Sequence, residues 1–285
     1  MNHGTLFVVA TPIGNRDDLS LRARQVLTDA DLIAAEDTRH TGRLLSHFGI
    51  KSRQIALHDY NEQAILDDII LQLKSGKSVA LVSDAGTPLI SDPGFRLLRA
   101  AHEQNIPVSP IPGASAFVAA LSVAGLPTDR FCFEGFLPAR QGTRLDRLKA
   151  ISNESRTIIF YESVHRIKDS ISDMVDVFGI SRRAFVGREL SKMHEQCVLA
   201  TLGELQEMLQ NNSIATKGEF VVVVKGAVEV TSDTEKIDIS QLLNELQAVL
   251  PGKQAVAIAS TLTGRRRNEL YRLMLDLKDG PADSK

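Results

Sequence analysis

Val79-Ala80-Leu81-Val82-Ser83-Asp84-Ala85-Gly86-Thr87-Pro88-Leu89-Ile90-Ser91-Asp92-Pro93-Gly94 is an apolar run that breaks into a stretch of small, acidic and proline residues. The apolar part does not alternate, so it reads as a strand covered on both faces, as in parallel sheets wrapped by helices. Open sheets of that kind bind ligands just beyond the carboxyl ends of their strands. Gly, Pro, Ser and Asp also serve any turn, and Asp92 followed by Pro93 is expected to cap and open the next helix. Capping accounts for that pair only. The segment Asp84 to Pro88 is longer than a strand-to-helix turn needs, and its alanine and glycine let a ligand approach the backbone.

Similar runs flank this one. Leu6 to Ala10, Leu32 to Ala35, Ile55 to Leu57 and Val108 to Ile111 read as further strands with amphipathic helices between them, which predicts a doubly wound, mostly parallel α/β layer. After Pro112-Gly113 the strand candidates Arg130 to Glu134, Thr157 to Tyr161, Arg183 to Arg188, Gln196 to Leu202 and Glu219 to Val224 look partly hairpin-like, so a second, mixed-sheet lobe is expected to end near Gly226. The polar stretch Ala227 to Lys236 reads as a linker. Beyond it lie three short helical patterns, Ser240 to Leu250, Gln254 to Leu262 and Arg265 to Leu277. The Thr263-Gly264 break makes the last two similar to a helix-turn-helix, with a helical cap on its own chain as the alternative. The expected domains are therefore 1–114, 115–230 and 231–285.

A chain of 285 residues with 43% hydrophobic and 24% charged residues is ordinary for a globular protein. None of its apolar runs approaches the length needed to span a bilayer. The N-terminal Met1-Asn2-His3-Gly4 lacks the regions of a signal peptide, which predicts a cytoplasmic protein. Cys132 and Cys197 make no disulfide framework and no zinc-ligand spacing, so no metal is expected. A formal net charge of -2 gives no global attraction to a polyanion. Any nucleic-acid contact must come from local patches.

The first strand ends in Thr11-Pro12-Ile13-Gly14-Asn15, and neither GxGxxG nor GxxxxGK[ST] occurs, which excludes a dinucleotide fingerprint and a P-loop. The second strand ends in Glu36-Asp37-Thr38-Arg39-His40 and the third in His58-Asp59-Tyr60-Asn61-Glu62. Polar clusters at neighbouring strand ends converge on one cleft. Each also has a structural reading, since Asp37 or Thr38, and Asn61, can cap the helices that follow. Pro112-Gly113-Ala114-Ser115-Ala116 opens a helix of small residues whose exposed N–H groups can take a carboxylate or a polar ring edge, or else forms an inter-domain elbow. Arg140, Arg144 and Arg147, at i, i+4 and i+7, put three guanidiniums on one helix face. Arg265-Arg266-Arg267 opens the last helix. Both clusters are solvated faces by default, and both fit contacts to a nucleic-acid backbone.

Ser83 to Gly94 resembles the hallmark of the ribosomal RNA small subunit methyltransferase I family, within the tetrapyrrole methylase superfamily. Thr11 to Asn15, Ala35 to Arg39, Pro112 to Ala116, Phe160-Tyr161-Glu162-Ser163 and the helical tail extend the resemblance over essentially the whole chain. It implies a two-lobed tetrapyrrole-methylase-like α/β fold with a helix-turn-helix-like tail. It also implies S-adenosylmethionine in the cleft, usually a homodimer, and methylation of a cytidine ribose 2'-hydroxyl in the decoding region of 16S ribosomal RNA. The cofactor positions carried over are Pro12, Asp84, Ala85, Gly86, Thr87, Ile90, Ser115, Ala116, Tyr161, Glu162 and Leu190. Tetrapyrrole enzymes typically read Gly-Asp-Pro where this chain has Gly86-Thr87-Pro88, which weakens the case for a tetrapyrrole acceptor.

A ribose hydroxyl is a weak nucleophile, so a placed base is expected. Glu36, Asp37, His58, Glu62 and Asp84 can reach the cleft, and Asp37 and His58 rank first because they end adjacent strands. Arg39, Arg140, Arg144, Arg147, Arg265, Arg266 and Arg267 are assigned to phosphates, which position RNA without reading its sequence. Two rivals remain. One is a methyltransferase of a small tetrapyrrole-like metabolite, and the other a ligand-sensing regulator that binds nucleic acid through its tail.

Overall fold

A computed structural model describes residues 3–58, 60–228 and 239–279. They fall into two compact units, Met1–Ala227 and Val228–Lys285.

The first unit begins with alternating strands and helices: β1 (Leu6–Val9), α1 (Leu21–Asp29), β2 (Leu32–Ala35), α2 (Thr38–His47), β3 (Gln54–Ala56), α3 (Glu62–Lys74), β4 (Val79–Val82), α4 (Phe95–Glu103) and β5 (Val108–Ile111). The strands pair in the order β3-β2-β4-β1-β5, all parallel. Every residue of β2 and β4 is buried, as their unbroken apolar runs require. Leu6, Leu32, Leu81 and Leu97 pack on one face of the sheet, and Val9, Ile33, Val82 and Leu45 on the other. The chain leaves β1 towards β2 and leaves β4 towards β5, in opposite directions from two adjacent strands. Such a reversal opens a crevice at the carboxyl ends. The Ser83 to Gly94 stretch lies there.

After α5 (Ala116–Val123) come β6 (Phe131–Phe136), α6 (Gln141–Ala150), β7 (Thr157–Ser163), α7 (Ile167–Phe178), β8 (Arg183–Arg188), β9 (Gln196–Thr201), α8 (Leu202–Gln210) and β10 (Glu219–Val224). Their order is β6-β7-β10-β8-β9, with β6 and β7 parallel and the remaining pairs antiparallel. The last strand in sequence is central in the sheet. Its valines face both ways, Val222 and Val224 towards the cluster that holds Leu148, Met174 and Leu205, and Val221 and Val223 towards Ala120 and Leu121 of α5.

Arg144 departs from the expectation of a basic helix face. Its Nε donates to Asp173 Oδ2 at 2.6 Å, with the two side chains 4% and 2% exposed. Arg140 precedes α6 in extended backbone (φ -78°, ψ 127°), so it does not share a helical face with the others. Arg147 is paired with Glu134. The spacing alone could not say which side of the helix turns inward. Arg144 is a core ion pair and is withdrawn as a phosphate ligand.

The second unit comprises α9 (Ile239–Val249), α10 (Gly252–Thr263) and α11 (Arg267–Asp279) around Leu243, Val256, Ala259, Leu270 and Met274. Gly264 ends α10, so Arg265 and Arg266 belong to the turn and only Arg267 to the helix. Residues 229–236 of the expected linker lie outside the described residues.

Candidate active site

The ends of β1, β2, β4 and β5 build the floor of the cleft. At the end of β1, Thr11 and Gly86 exchange both backbone hydrogen bonds, at 2.8 and 3.0 Å, and Thr11 Oγ1 donates to Ser83 O at 3.3 Å. Thr87 Oγ1 donates to Ala114 O at 3.0 Å, which ties the loop to the segment after β5. Towards β2, Asp84 N donates to Glu36 Oε2 at 3.3 Å while Asp37 N donates to Asp84 Oδ1 at 3.1 Å. The loop is thus fixed on both flanks.

Its second half is bent by left-handed backbone at two non-glycine residues, Leu89 (φ 74°) and Ser91 (φ 71°). Each such residue costs roughly 1–2 kcal/mol, a strain that well-packed surroundings sustain at functional sites. Helix α4 starts only at Phe95, with Gly94 at its cap in left-handed backbone (φ 117°). A Cβ there would lie 2.8 Å from Leu81 Cδ2. Asp92 therefore does not cap α4, contrary to the reading of Asp92-Pro93.

Asp92 instead lines a cleft of about 480 Å³, together with Glu36, Asp84 and walls from the second sheet. Burial pushes its carboxyl up to about 6, against the Ser83 hydroxyl that favours the charged form, and the charges of Glu36 and Asp84 raise it further. The opposite wall carries Tyr161 at the end of β7, whose hydroxyl accepts from Phe117 N in the first turn of α5 at 3.3 Å. Burial raises that phenol as well. Leu190 reaches the cleft from the β8–β9 connection, which is held against the first half where Asn15 N donates to Ser191 Oγ at 3.2 Å and Ser191 Oγ donates to Asp18.

Of the residues expected to hold the cofactor, Asp84, Ala85, Gly86, Thr87, Ile90, Ser115, Ala116, Tyr161, Glu162 and Leu190 all line this one cleft. Pro12 is outside the lining, and its neighbour Ile13 is inside it. Glu162 is spent internally, accepting from Ser170 Oγ at 2.6 Å and Ser163 N at 2.7 Å and pairing with Arg166 at 3.0 Å. Neither side chain ranked first as base is in the lining. Asp37 caps α2 and is gripped by Arg39, whose hydrogen bonds hold its carboxyl at about 2. That is too acidic for a base near neutrality. His58 donates its backbone N–H to Asn61 Oδ1 at 2.8 Å, and its ring faces Tyr60 with centroids 6.1 Å apart. Asn61 closes this turn and gives α3 no side-chain cap.

The lining is amphipathic. Ile13, Ile90, Ala116, Leu190 and Val221 supply apolar wall, Asp84 and Glu36 supply acceptors, and the buried Ser115 hydroxyl lies beside that of Tyr161. A volume of this order is that of small-molecule sites, about 300–1,000 Å³. A nucleoside joined to an amino acid fits such a lining. Among the described residues no group of His, Cys, Asp and Glu could hold a metal ion, and no helix is long and apolar enough to cross a membrane.

Of the arginines assigned to RNA, Arg39 is 85% exposed at the side chain but bonded to Asp37 at 2.9 Å, and Arg265 is paired with Glu269 at 2.8 Å. Arg140, Arg266 and Arg267 are exposed.

Comparison with known proteins places this arrangement. Residues 5–206 match the family model described as Tetrapyrrole (Corrin/Porphyrin) Methylases, and residues 233–278 match the RsmI C-terminal HTH domain. The chain is 50% identical over 275 residues to the ribosomal RNA small subunit methyltransferase I of Escherichia coli O157:H7, covering 96% of each chain. It is 51% identical over 277 residues to the protein of that name from Pseudomonas aeruginosa, covering 96% of this chain and 98% of the other. Among solved structures, diphthine synthase superposes with a TM-score of 0.60 at 17% identity, covering 78% of this chain and 90% of that one. The uroporphyrin-III C-methyl transferase from Thermus thermophilus, complexed with S-adenyl homocysteine, gives 0.54 at 16% identity, covering 78% and 97%. These two likenesses establish the fold.

Proposed function

Because the chain belongs to the ribosomal RNA small subunit methyltransferase I family, we propose that it transfers a methyl group from S-adenosylmethionine to a cytidine ribose 2'-hydroxyl in the decoding region of 16S ribosomal RNA. The observation that carries this reading is the convergence of ten sequence-expected cofactor positions on one amphipathic cleft at the strand-order reversal. The donor brings a methyl already activated on a sulfonium. The protein's share is therefore chiefly orientation, and alignment of reacting atoms is worth several kcal/mol of the barrier, roughly 7–11 in favourable cases.

The residues divide that work. Ala85, Gly86 and Thr87 present backbone pinned by Thr11 and Ala114, Ser115 offers its hydroxyl, and Ile90, Ala116 and Leu190 exclude water from the donor's apolar parts. Arg39 and Arg140, with Arg265, Arg266 and Arg267 in the second unit, meet phosphates. We place the protein in the cytoplasm as a homodimer acting on the small ribosomal subunit. Val118, Val123 and Phe131 carry exposed apolar side chains that contact with a second copy would shield.

Calorimetric titration with S-adenosylmethionine, followed by transfer of its tritiated methyl to small ribosomal subunits, tests the reading. Binding without transfer to RNA but with transfer to a small tetrapyrrole would favour the metabolite enzyme. Binding without any transfer would favour a ligand-sensing regulator.

A further inference from the structure

Glu36 after β2 and Asp84 and Asp92 in the stretch after β4 line the cleft with carboxylates, and their surroundings differ. Glu36 Oε2 accepts from Asp84 N, and Asp84 Oδ1 accepts from Asp37 N, so each has an oxygen committed to holding two strand ends together. Asp92 has no such duty. Among the described residues no backbone N–H and no cation bonds its carboxylate, its neighbour being the Ser83 hydroxyl. It is not the cap of α4, because that helix begins beyond Gly94. Two left-handed, non-glycine residues, Leu89 and Ser91, shape the turn that brings it into the cleft.

Resting on the methyltransferase reading, we propose that Asp92 is the base that removes the proton from the acceptor hydroxyl. In that step the ribose oxygen forms its bond to the methyl carbon, the carbon–sulfur bond breaks with its electron pair left on sulfur, and the hydroxyl proton passes to an Asp92 oxygen. The sulfonium charge and the carboxylate charge both disappear, which a partly desolvated cleft favours.

The ionisable groups around Asp92 agree with this role. Glu36 at the end of β2 and Asp84 at the end of β4 face it with negative charge, and Tyr161 approaches from β7. Glu162 and Glu219 also line the cleft, but they are paired with Arg166 and Lys192. With burial as the largest cause, these surroundings bring the Asp92 carboxyl to about 6. A base poised there is mostly charged at neutral pH and still basic enough to accept a proton, whereas Asp37 at about 2 is not.

Asp92→Asn keeps size and shape while removing the basic oxygen. Turnover on small ribosomal subunits is expected to fall by about 10²–10⁴-fold, with calorimetric affinity for S-adenosylmethionine within about threefold of wild type and loss of the acidic limb near pH 6 from the turnover profile. Carbon NMR titration of the cofactor-free protein should find one aspartate titrating near 6 that is absent from the variant. Unchanged turnover in Asp92→Asn overturns the proposal, as does a turnover loss restored by saturating donor, which would make Asp92 a donor ligand. Absence of donor uptake by the wild-type protein sinks the methyltransferase reading itself. Uptake by both proteins with equal turnover sinks only the base.

Discussion

Thr11 and Gly86, at the ends of two adjacent parallel strands that lead in opposite directions, exchange both of their backbone hydrogen bonds. The bridge holds Gly86 in left-handed backbone (φ 84°), with Ile13 Cγ2 3.4 Å from where a Cβ would sit. Gly86→Val should cost roughly 1–2 kcal/mol of stability for the backbone alone. Its larger effect should be on the cleft floor, lowering donor affinity by more than tenfold. Thermal melting and calorimetry on the same sample separate the two.

Burial of the Asp92 charge has a stability consequence of definite sign. A carboxyl raised to about 6 in the folded protein, against about 3.9 in an unfolded chain, makes the folded state bind the extra proton. Stability attributable to this group therefore falls as pH rises from about 4 to 6 and stays low above that. Asp92→Asn should melt at the same or a higher temperature than wild type at pH 7.5, with the difference vanishing towards pH 4. A lower melting temperature at pH 7.5 would contradict the sign.

Asp37 behaves oppositely. Its Arg39-bonded carboxyl, held at about 2, lies below the unfolded value, so its contribution is fully present above pH 4 and is lost as pH falls towards 2. Asp37→Asn should leave the turnover profile between pH 5 and 9 unchanged in shape. A shifted acidic limb would return Asp37 to the chemistry.

The Arg144–Asp173 pair is buried, and removing one partner leaves a charge in the core. Arg144→Met alone is expected to lose about 3–5 kcal/mol, while Arg144→Met with Asp173→Leu should recover most of it. Urea unfolding measures both. The salt dependence of RNA binding should be unchanged in the double variant, because Arg144 does not reach the surface.

Replacing Arg265, Arg266 and Arg267 by alanine should lower RNA affinity and flatten its dependence on salt, by about 0.7–0.9 in slope for each phosphate that is no longer neutralised. Filter binding from 50 to 200 mM salt, on the order of the range where such contacts dominate, reads the change. An unchanged slope would make α9 to α11 a structural unit only.

β2 and β4 were legible because strands buried on both faces are continuous apolar runs, and β5, β8 and β10 also lie where Val108 to Ile111, Arg183 to Arg188 and Glu219 to Val224 place them. The cleft was legible because parallel strands deliver their polar ends to one edge. Asp92 was not, since Asp-Pro is the ordinary signature of a helix start and nothing in the letters shows that Leu89 and Ser91 turn left-handed before it. Arg144 was misread for a related reason. A periodicity of arginines defines a face but not its direction, and the deciding partner, Asp173, lies on a different helix.

The central place of β10 bears on how the chain matures during synthesis. Until Glu219–Val224 has emerged, β6 with β7 and β8 with β9 are two separate ribbons, each with an open edge that only this valine strand can close. A nascent chain halted before residue 219 would expose both edges, so premature termination there should yield aggregates rather than a smaller working enzyme.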